Sequence, residues 1–235
     1  MSAALPVALV TGATRGLGSA IADALAVDHH VLVGGRDPRA VERRVAELPS
    51  ASPFVADLAD PGSLDRALAD ASGRLGALRV LVNNAGIARR LPIERTTRDD
   101  WEEILTTNVV AVADLTTRLL PHLRANRGTV VLINSGAGVR IYPEDAAYTV
   151  SKWALKAFGD CLRESERGAL RVVSVHPGRI DTDMQRDLVA ASGLPYDPAQ
   201  HMSAADVARS IRLALDMPST TNVDEVHMRT SEQRG

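Results

Sequence analysis

Short uninterrupted apolar runs alternate along this chain with segments whose apolar positions recur every three or four residues. Val7 to Val10 is such a run, as expected of a strand buried on both faces. Helical spacing follows at Ile21, Ala24 and Leu25, and a second strand at 31–33. Pro38 opens a helix through Val41, Val45 and Leu48, as proline in a first turn allows. Residues 54–56 read as a short strand, and Asp60-Pro61 as the cap of the next helix. A fourth strand falls at 79–82. Residues 96–124 then predict one long helix with Trp101, Leu105, Val109, Val112 and Leu115 on one face, kinked or ended by Pro121. Strands at 130–133 and 172–175 flank a helix from Tyr148 through Leu162. Residues 179–202 are polar and irregular, as a loop or short helix over the site, suiting a substrate lid or a connecting loop. Ser203 to Asp206 resembles a capping box opening a helix through Ile211 and Leu215, and 222–228 alternates as a last edge strand. The pattern predicts a single α/β domain over 1–235: a doubly wound, mostly parallel seven-stranded sheet with helices on both faces.

Composition narrows the function classes. At 235 residues, 45% hydrophobic and 24% charged, the chain fits one ordinary globular domain. A net charge of -2 makes no electrostatic case for nucleic acid or an anionic membrane, and 3% aromatic residues argue against base-stacking platforms. Cys161 is the only cysteine, which excludes an intrachain disulfide or a Cys-based zinc site. The six histidines show no metal-ligand spacing, and adjacent His29 and His30 would point to opposite faces of a strand, so no metal is expected. The stretch MSAALPVALVTG is too short for a signal peptide and lacks a basic start, and no run approaches the ~18 apolar residues of a membrane span. A soluble cytoplasmic protein is expected.

The candidate chemistry gathers where the predicted strands end. Val7 to Val10 runs into Thr11-Gly12-Ala13-Thr14-Arg15-Gly16-Leu17-Gly18 and then a helix, the context in which glycines let a backbone approach a pyrophosphate at a helix N-terminus. The second strand ends in Gly34-Gly35-Arg36-Asp37. An acid near here would hold the ribose 2′-hydroxyl of NAD, whereas Arg36 and Arg15 suit the 2′-phosphate of NADP; Asp37 is the competing reading. The fourth strand delivers Asn83-Asn84-Ala85-Gly86, small and amide residues suited to passing close to a flat ligand. Asn108 is an amide inside an apolar helix face, either a satisfied core polar group or part of a site. Ser135 follows the fifth strand, and Tyr148 and Lys152 stand one helical turn apart on one face. An ammonium there would draw a phenol of pKa about 10 toward the working range of a general acid or base.

Together these pieces resemble the short-chain dehydrogenase/reductase family, over nearly the whole chain from Val7 to about Met217. TGATRGLG matches the family's T-G-x-x-x-G-x-G, implying that Thr11, Gly12, Thr14, Arg15, Gly16, Leu17 and Gly18 contact the dinucleotide in a Rossmann fold. The resemblance also implies that Asp57 and Leu58 flank the adenine, that Asn84, Ala85 and Gly86 line the cofactor, and that Pro177, Gly178 and Thr182 orient the nicotinamide amide. Asn108, Ser135, Tyr148 and Lys152 match the catalytic tetrad, with Tyr148 and Lys152 also touching the cofactor. Arg36 falls where NADP-preferring members carry a basic residue. The expected protein is an NADP(H)-dependent oxidoreductase (NAD(H) being the lesser alternative) acting on a small carbonyl or secondary alcohol; a cofactor-sensing regulator and an isomerase or epimerase are the rivals. The family also implies a homodimer or homotetramer through helix 96–124 and the helix from Tyr148, unless Leu115, Leu119 and Leu120 face the core. Two departures bear on substrate: the tail TNVDEVHMRTSEQ lacks the family's common D-G-G ending, and the lid is brief.

Overall fold

The computed structural model describes residues 5–191, 193 and 195–231. Seven strands form one sheet in the order β3-β2-β1-β4-β5-β6-β7. They are β1 (Val7–Val10), β2 (His30–Gly35), β3 (Ala51–Val55), β4 (Leu78–Asn83), β5 (Thr129–Ile133), β6 (Arg171–Pro177) and β7 (Glu225–Met228). Every adjacent pair is parallel, so the sheet is wholly parallel rather than mostly so. Parallel strands need crossover helices, and these cover both faces.

Alternation along the strands separates two cores. Ala8, Val10, Val31, Val33, Val80, Val82, Val131, Val173 and Val175 face one side, where they pack with buried residues of α1 (Gly16–Leu25) and α8 (Ala204–Asp216). Val7, Leu9, Leu32, Leu81, Val130, Leu132 and Val172 face the other, under α3 (Pro61–Leu75), α5 (Ala111–Ala125) and α6 (Ala146–Ser165). The strand order reverses at β1, which pairs with β2 on one side and β4 on the other. In open parallel sheets the carboxyl ends at such a point form the ligand crevice.

Several boundaries differ from the sequence expectation. β3 starts at Ala51, not Phe54, and ends before Ala56. It is an edge strand pairing only β2, where Pro53 is tolerated but the apolar signal is lost. β6 extends to Pro177, so His176 and Pro177 lie in a strand rather than a turn, held by β7, which itself begins only at Glu225. The long helix 96–124 is three pieces: α4 (Arg98–Leu105), a π-helical segment at Thr106–Val110, and α5. Thr97 and Asp100 form a reciprocal capping box at its start. The π insertion re-phases the buried face, so Ile104 and Asn108 are buried while Trp101, Leu105 and Val109 are only half-buried. Pro121 does not end the helix, which stops at Ala125; there the Gly128 N–H bonds back to the Leu123 carbonyl at 2.8 Å. The segment 179–202 contains α7 (Asp183–Ala191) and a 3-10 turn at Pro198–Gln200. The remaining helix, α2 (Pro38–Glu47), is capped by Asp37.

Candidate active site

The ends of β1 and β4 are tied together by polar contacts. Thr11 is buried, and its hydroxyl oxygen accepts from the Asn84 and Ala85 N–H groups at 2.9 and 3.0 Å while donating to the Val82 carbonyl at 3.3 Å. The Asn84 amide donates to the Thr11 and Gly12 carbonyls at 2.9 and 3.2 Å. Gly12 and Gly16 adopt φ of +62° and +56°, which a side chain would strain. A Cβ on Gly18 would lie 2.1 Å from the Gly12 carbonyl oxygen. α1 begins here with no side-chain cap and no acid in its first turn, so its leading N–H groups are left to an incoming acceptor. This glycine-walled turn ending on an uncapped helix fits a dinucleotide pyrophosphate. Thr182 packs against it, its Cγ2 lying 3.4 Å from where a Gly16 Cβ would stand. Arg15 reaches Asp183 of α7 at 3.3 Å.

At the end of β2, Arg36 is exposed. The Asp37 carboxylate accepts from the Arg39 N–H at 2.9 Å and is spent on capping α2. Asp57 is likewise engaged in its own turn, accepting from the Ala59 N–H at 3.0 Å, with Leu58 half-buried beside it.

The four residues expected to form the tetrad come from the π segment (Asn108), the turn just after β5 (Ser135) and the first two turns of α6 (Tyr148 and Lys152). Asn108 lies in the π segment with its carboxamide fully engaged: Oδ1 accepts from the Ile87 N–H at 2.9 Å, and Nδ2 donates to the Ile87 carbonyl at 2.9 Å and to Ser151 Oγ at 3.0 Å. Ser151 in turn donates to the Tyr148 carbonyl at 2.7 Å. Gly86 passes so close that a Cβ there would stand 3.1 Å from Asn108 Oδ1 and 4.0 Å from Lys152 Nζ. Asn134 steadies the opposite side, with Oδ1 accepting from the Ser135 N–H at 2.9 Å and Nδ2 donating to the Lys152 carbonyl at 3.2 Å. Sequence reasoning misses Asn134 and Ser151. Their only signal is that each is a buried polar residue neighbouring a tetrad member.

The electrostatics correct one expectation. Lys152 is buried, donates to the Ile133 carbonyl at 2.9 Å and lies 5.7 Å from the Tyr148 ring centroid. Burial lowers its pKa to about 8. Lys152 does not draw the phenol down: burial raises the Tyr148 pKa above its usual 10, opposed by a hydrogen bond from Ser135 and reinforced by the nearby Asp145 carboxylate. Desolvation dominates at both groups, the ammonium lying over the ring and bonding a carbonyl. Asp145 is itself pushed up by burial. Gly178 closes this end of the site by donating to the Met228 carbonyl at 2.8 Å.

Comparison with known proteins agrees with this arrangement. The sequence profile of the family described as short chain dehydrogenase matches residues 6–193. The chain belongs to that family. Among its relatives, mouse dehydrogenase/reductase SDR family member 7B is 37% identical over 87% of this chain and 68% of its own. Serine 3-dehydrogenase of Rhizobium radiobacter is 30% identical, covering 94% and 92%. An alcohol dehydrogenase from the archaeon Thermococcus sibiricus, solved with 5-hydroxy-NADP, superposes with a TM-score of 0.89 at 25% identity, over 98% of both chains. As a short-chain dehydrogenase, the chain carries all four predicted tetrad residues within one connected set of hydrogen bonds and ring contacts. Among the described residues no helix is long and apolar enough to cross a membrane.

Proposed function

We propose that this short-chain dehydrogenase is an NADP(H)-dependent oxidoreductase interconverting a small carbonyl compound and its secondary alcohol, with Tyr148 as the general acid/base. The observation that carries the reading is the convergence of Ser135, Tyr148 and buried Lys152 at the strand ends beside a glycine turn that opens an uncapped helix. The turn 11–18 and the first N–H groups of α1 would hold the pyrophosphate, and Arg36 with Arg15 the 2′-phosphate. Asp57 and Leu58 would flank the adenine, Asn84, Ala85 and Gly86 the ribose side, and Pro177, Gly178 and Thr182 the nicotinamide amide. Asp37 supports the NADP preference, since its carboxylate is bound by the helix it caps while Arg36 stands exposed beside it.

When bound, the dinucleotide supplies or accepts the hydride. The chain supplies position and protons. Ser135 holds the substrate oxygen by a hydrogen bond, so that Tyr148 can give it a proton in reduction and take one back in oxidation. With a pKa of about 8, Lys152 can change charge near neutral pH and so pass protons toward the phenol. Asn108 acts through Ser151 on the Tyr148 backbone, fixing where the phenol stands. Leu115 and Leu119 are fully buried in the chain's own core. A homo-oligomeric contact through the helical stretch 98–125 and α6 would instead use exposed Val110, Val150 and Trp153.

The test is a parallel titration with NADPH and NADH, then the fall of NADPH absorbance on adding carbonyl compounds. Arg36→Ala is expected to weaken NADPH binding by at least about tenfold while leaving NADH binding unchanged. Tyr148→Phe is expected to bind cofactor and turn over nothing. NADH binding equal to or tighter than NADPH would overturn the cofactor assignment. Turnover by Tyr148→Phe would overturn the acid/base role.

A further inference from the structure

β6 and β7 bring together two histidines that are far apart in sequence. His176 and His227 are register partners in this parallel pair, so their side chains emerge on the same face. Their rings stack with centroids 4.6 Å apart and planes within 9°. Glu225, two residues before His227 and therefore on the same face of β7, lies 2.9 Å from His227 Nε2 and 4.0 Å from His176 Nε2.

The state of His176 follows from its other nitrogen. Nδ1 lies 3.3 Å from the Ser135 carbonyl oxygen. A carbonyl only accepts, so Nδ1 carries the hydrogen and Nε2 the lone pair. That lone pair is buried without a partner, on a residue only 2% exposed, and it faces a carboxylate. An unpaired buried acceptor beside a carboxylate is unfavourable, and a cation placed between the two would satisfy both.

We propose that His176, Glu225 and His227 form a binding site for a divalent transition-metal ion of the zinc type. Two imidazoles and one carboxylate are a zinc donor set. A histidine whose second N–H is held by a backbone carbonyl is the usual arrangement of a metal-ligating imidazole. The three ligand atoms lie within 4.8 Å of one another. A tetrahedral ion with bonds of about 2.1 Å places them about 3.4 Å apart. Buried His176 stays fixed, while the exposed His227 ring rotates out of the stack, because a bound ion lies in the plane of each imidazole. The His227 ring moves its hydrogen from Nε2 to Nδ1 to free a lone pair, and Glu225 turns inward with it. A cavity of about 20 Å³ opens beside both rings, lined also by Gly136, Tyr142, Gly178 and two arginines, Arg140 and Arg229. That is room for the one water that would complete the coordination. Lys156 is the competitor, its ammonium 2.8 Å from Glu225 Oε1. The ion displaces it, and Lys156 keeps its second partner, Asp160, at 2.9 Å.

The experiment titrates the full chain, stripped of metal by chelation, with Zn²⁺ by calorimetry and with Co²⁺ by visible absorption. The expected result is one equivalent bound at micromolar concentration or below, with cobalt bands of four- or five-coordinate intensity. His227→Gln, a substitution at an exposed position, is expected to weaken binding by more than about 100-fold, and Lys156→Met to tighten it by removing the rival cation. The proposal is overturned if the wild-type chain binds no Zn²⁺, if His227→Gln leaves binding unchanged, or if Lys156→Met fails to tighten it.

Discussion

Asn108→Ala tests the scaffold beneath the proposed chemistry. Asn108 is 1% exposed and makes three hydrogen bonds, two clamping the Ile87 peptide and one to Ser151. Each is worth about 1 kcal/mol net, and a buried group left unsatisfied costs about 1–3 kcal/mol. Ile87 is half-buried, so water can replace part of what it loses, whereas Ser151 is fully buried and keeps only its own donation to the Tyr148 carbonyl. The sum is a destabilisation of about 2–3 kcal/mol, read as a lower urea midpoint at unchanged m. For a domain of this size that is a Tm lower by roughly 5–10 °C. Because Ser151 holds the Tyr148 backbone, kcat at a temperature where the variant is fully folded should also fall by more than about tenfold, with KM for the cofactor little changed. A stability loss below about 1 kcal/mol would refute the hydrogen-bond accounting. A normal stability loss with undiminished kcat would refute the link from Asn108 through Ser151 to Tyr148.

Gly18→Ala puts a methyl 2.1 Å from the Gly12 carbonyl oxygen and 2.5 Å from Asn84 Nδ2; the turn must shift, and dinucleotide affinity measured by calorimetry should fall by more than about tenfold. Lys152 binds its proton with a pKa of about 8 in the folded chain, against 10.5 for a free lysine side chain. Between these values the unfolded chain holds more protons, so stability rises with pH; the penalty is complete below pH 8 and relieved toward 10.5. Wild type should therefore gain about 2 kcal/mol on Lys152→Met between about pH 8 and 9.5, a difference read from denaturation curves at the two pH values. Asp28 is lowered to about 2, first by its hydrogen bond from Arg212, with burial opposing. Its contribution is complete above the free value of 3.8 and is lost as pH falls through about 2. With Asp28 44% exposed, Arg212→Ala should cost only about 1 kcal/mol near neutrality, a difference from wild type that disappears in acid unfolding curves at the bottom of that window.

The fold was legible where strands are buried on both faces. β1, β2, β4 and β5 announce themselves as Val/Leu/Ile runs because both sides are covered by helices. β3 was misplaced for the converse reason: at the sheet edge its Ala51-Ser52-Pro53 start needs neither an apolar pattern nor a donor toward solvent. The π insertion between α4 and α5 left no trace in composition, since Thr106–Val110 reads as ordinary helix. Within it Asn108 turns inward and clamps the Ile87 peptide, a partner far along the chain that local propensity does not reveal. Pro121 does not end the helix, because the rule against proline concerns one lost bond and one clash, and a helix packed through Leu115, Leu119 and Leu123 absorbs that cost.

The site divides along the same line. Residue types and spacing named Tyr148 and Lys152 as one face of α6, and that is where they stand. The sign of the phenol's shift was not readable, because it depends on how much water surrounds each group and on what else the ammonium touches. Lys152 reaches the Ile133 carbonyl at the end of β5, and only the sheet places that carbonyl there. The resulting balance has a chemical consequence. In the free protein both partners sit on the neutral side of their ordinary values, Tyr148 raised and Lys152 lowered, so the pair carries less separated charge than the sequence spacing suggests. Charges arriving with a bound dinucleotide would act on groups already poised by burial, where each added charge is screened less than at the surface. Cofactor binding should then move the Tyr148 titration further than any single neighbouring side chain does, so the pH profile of kcat belongs to the complex and that of kcat/KM to the free protein.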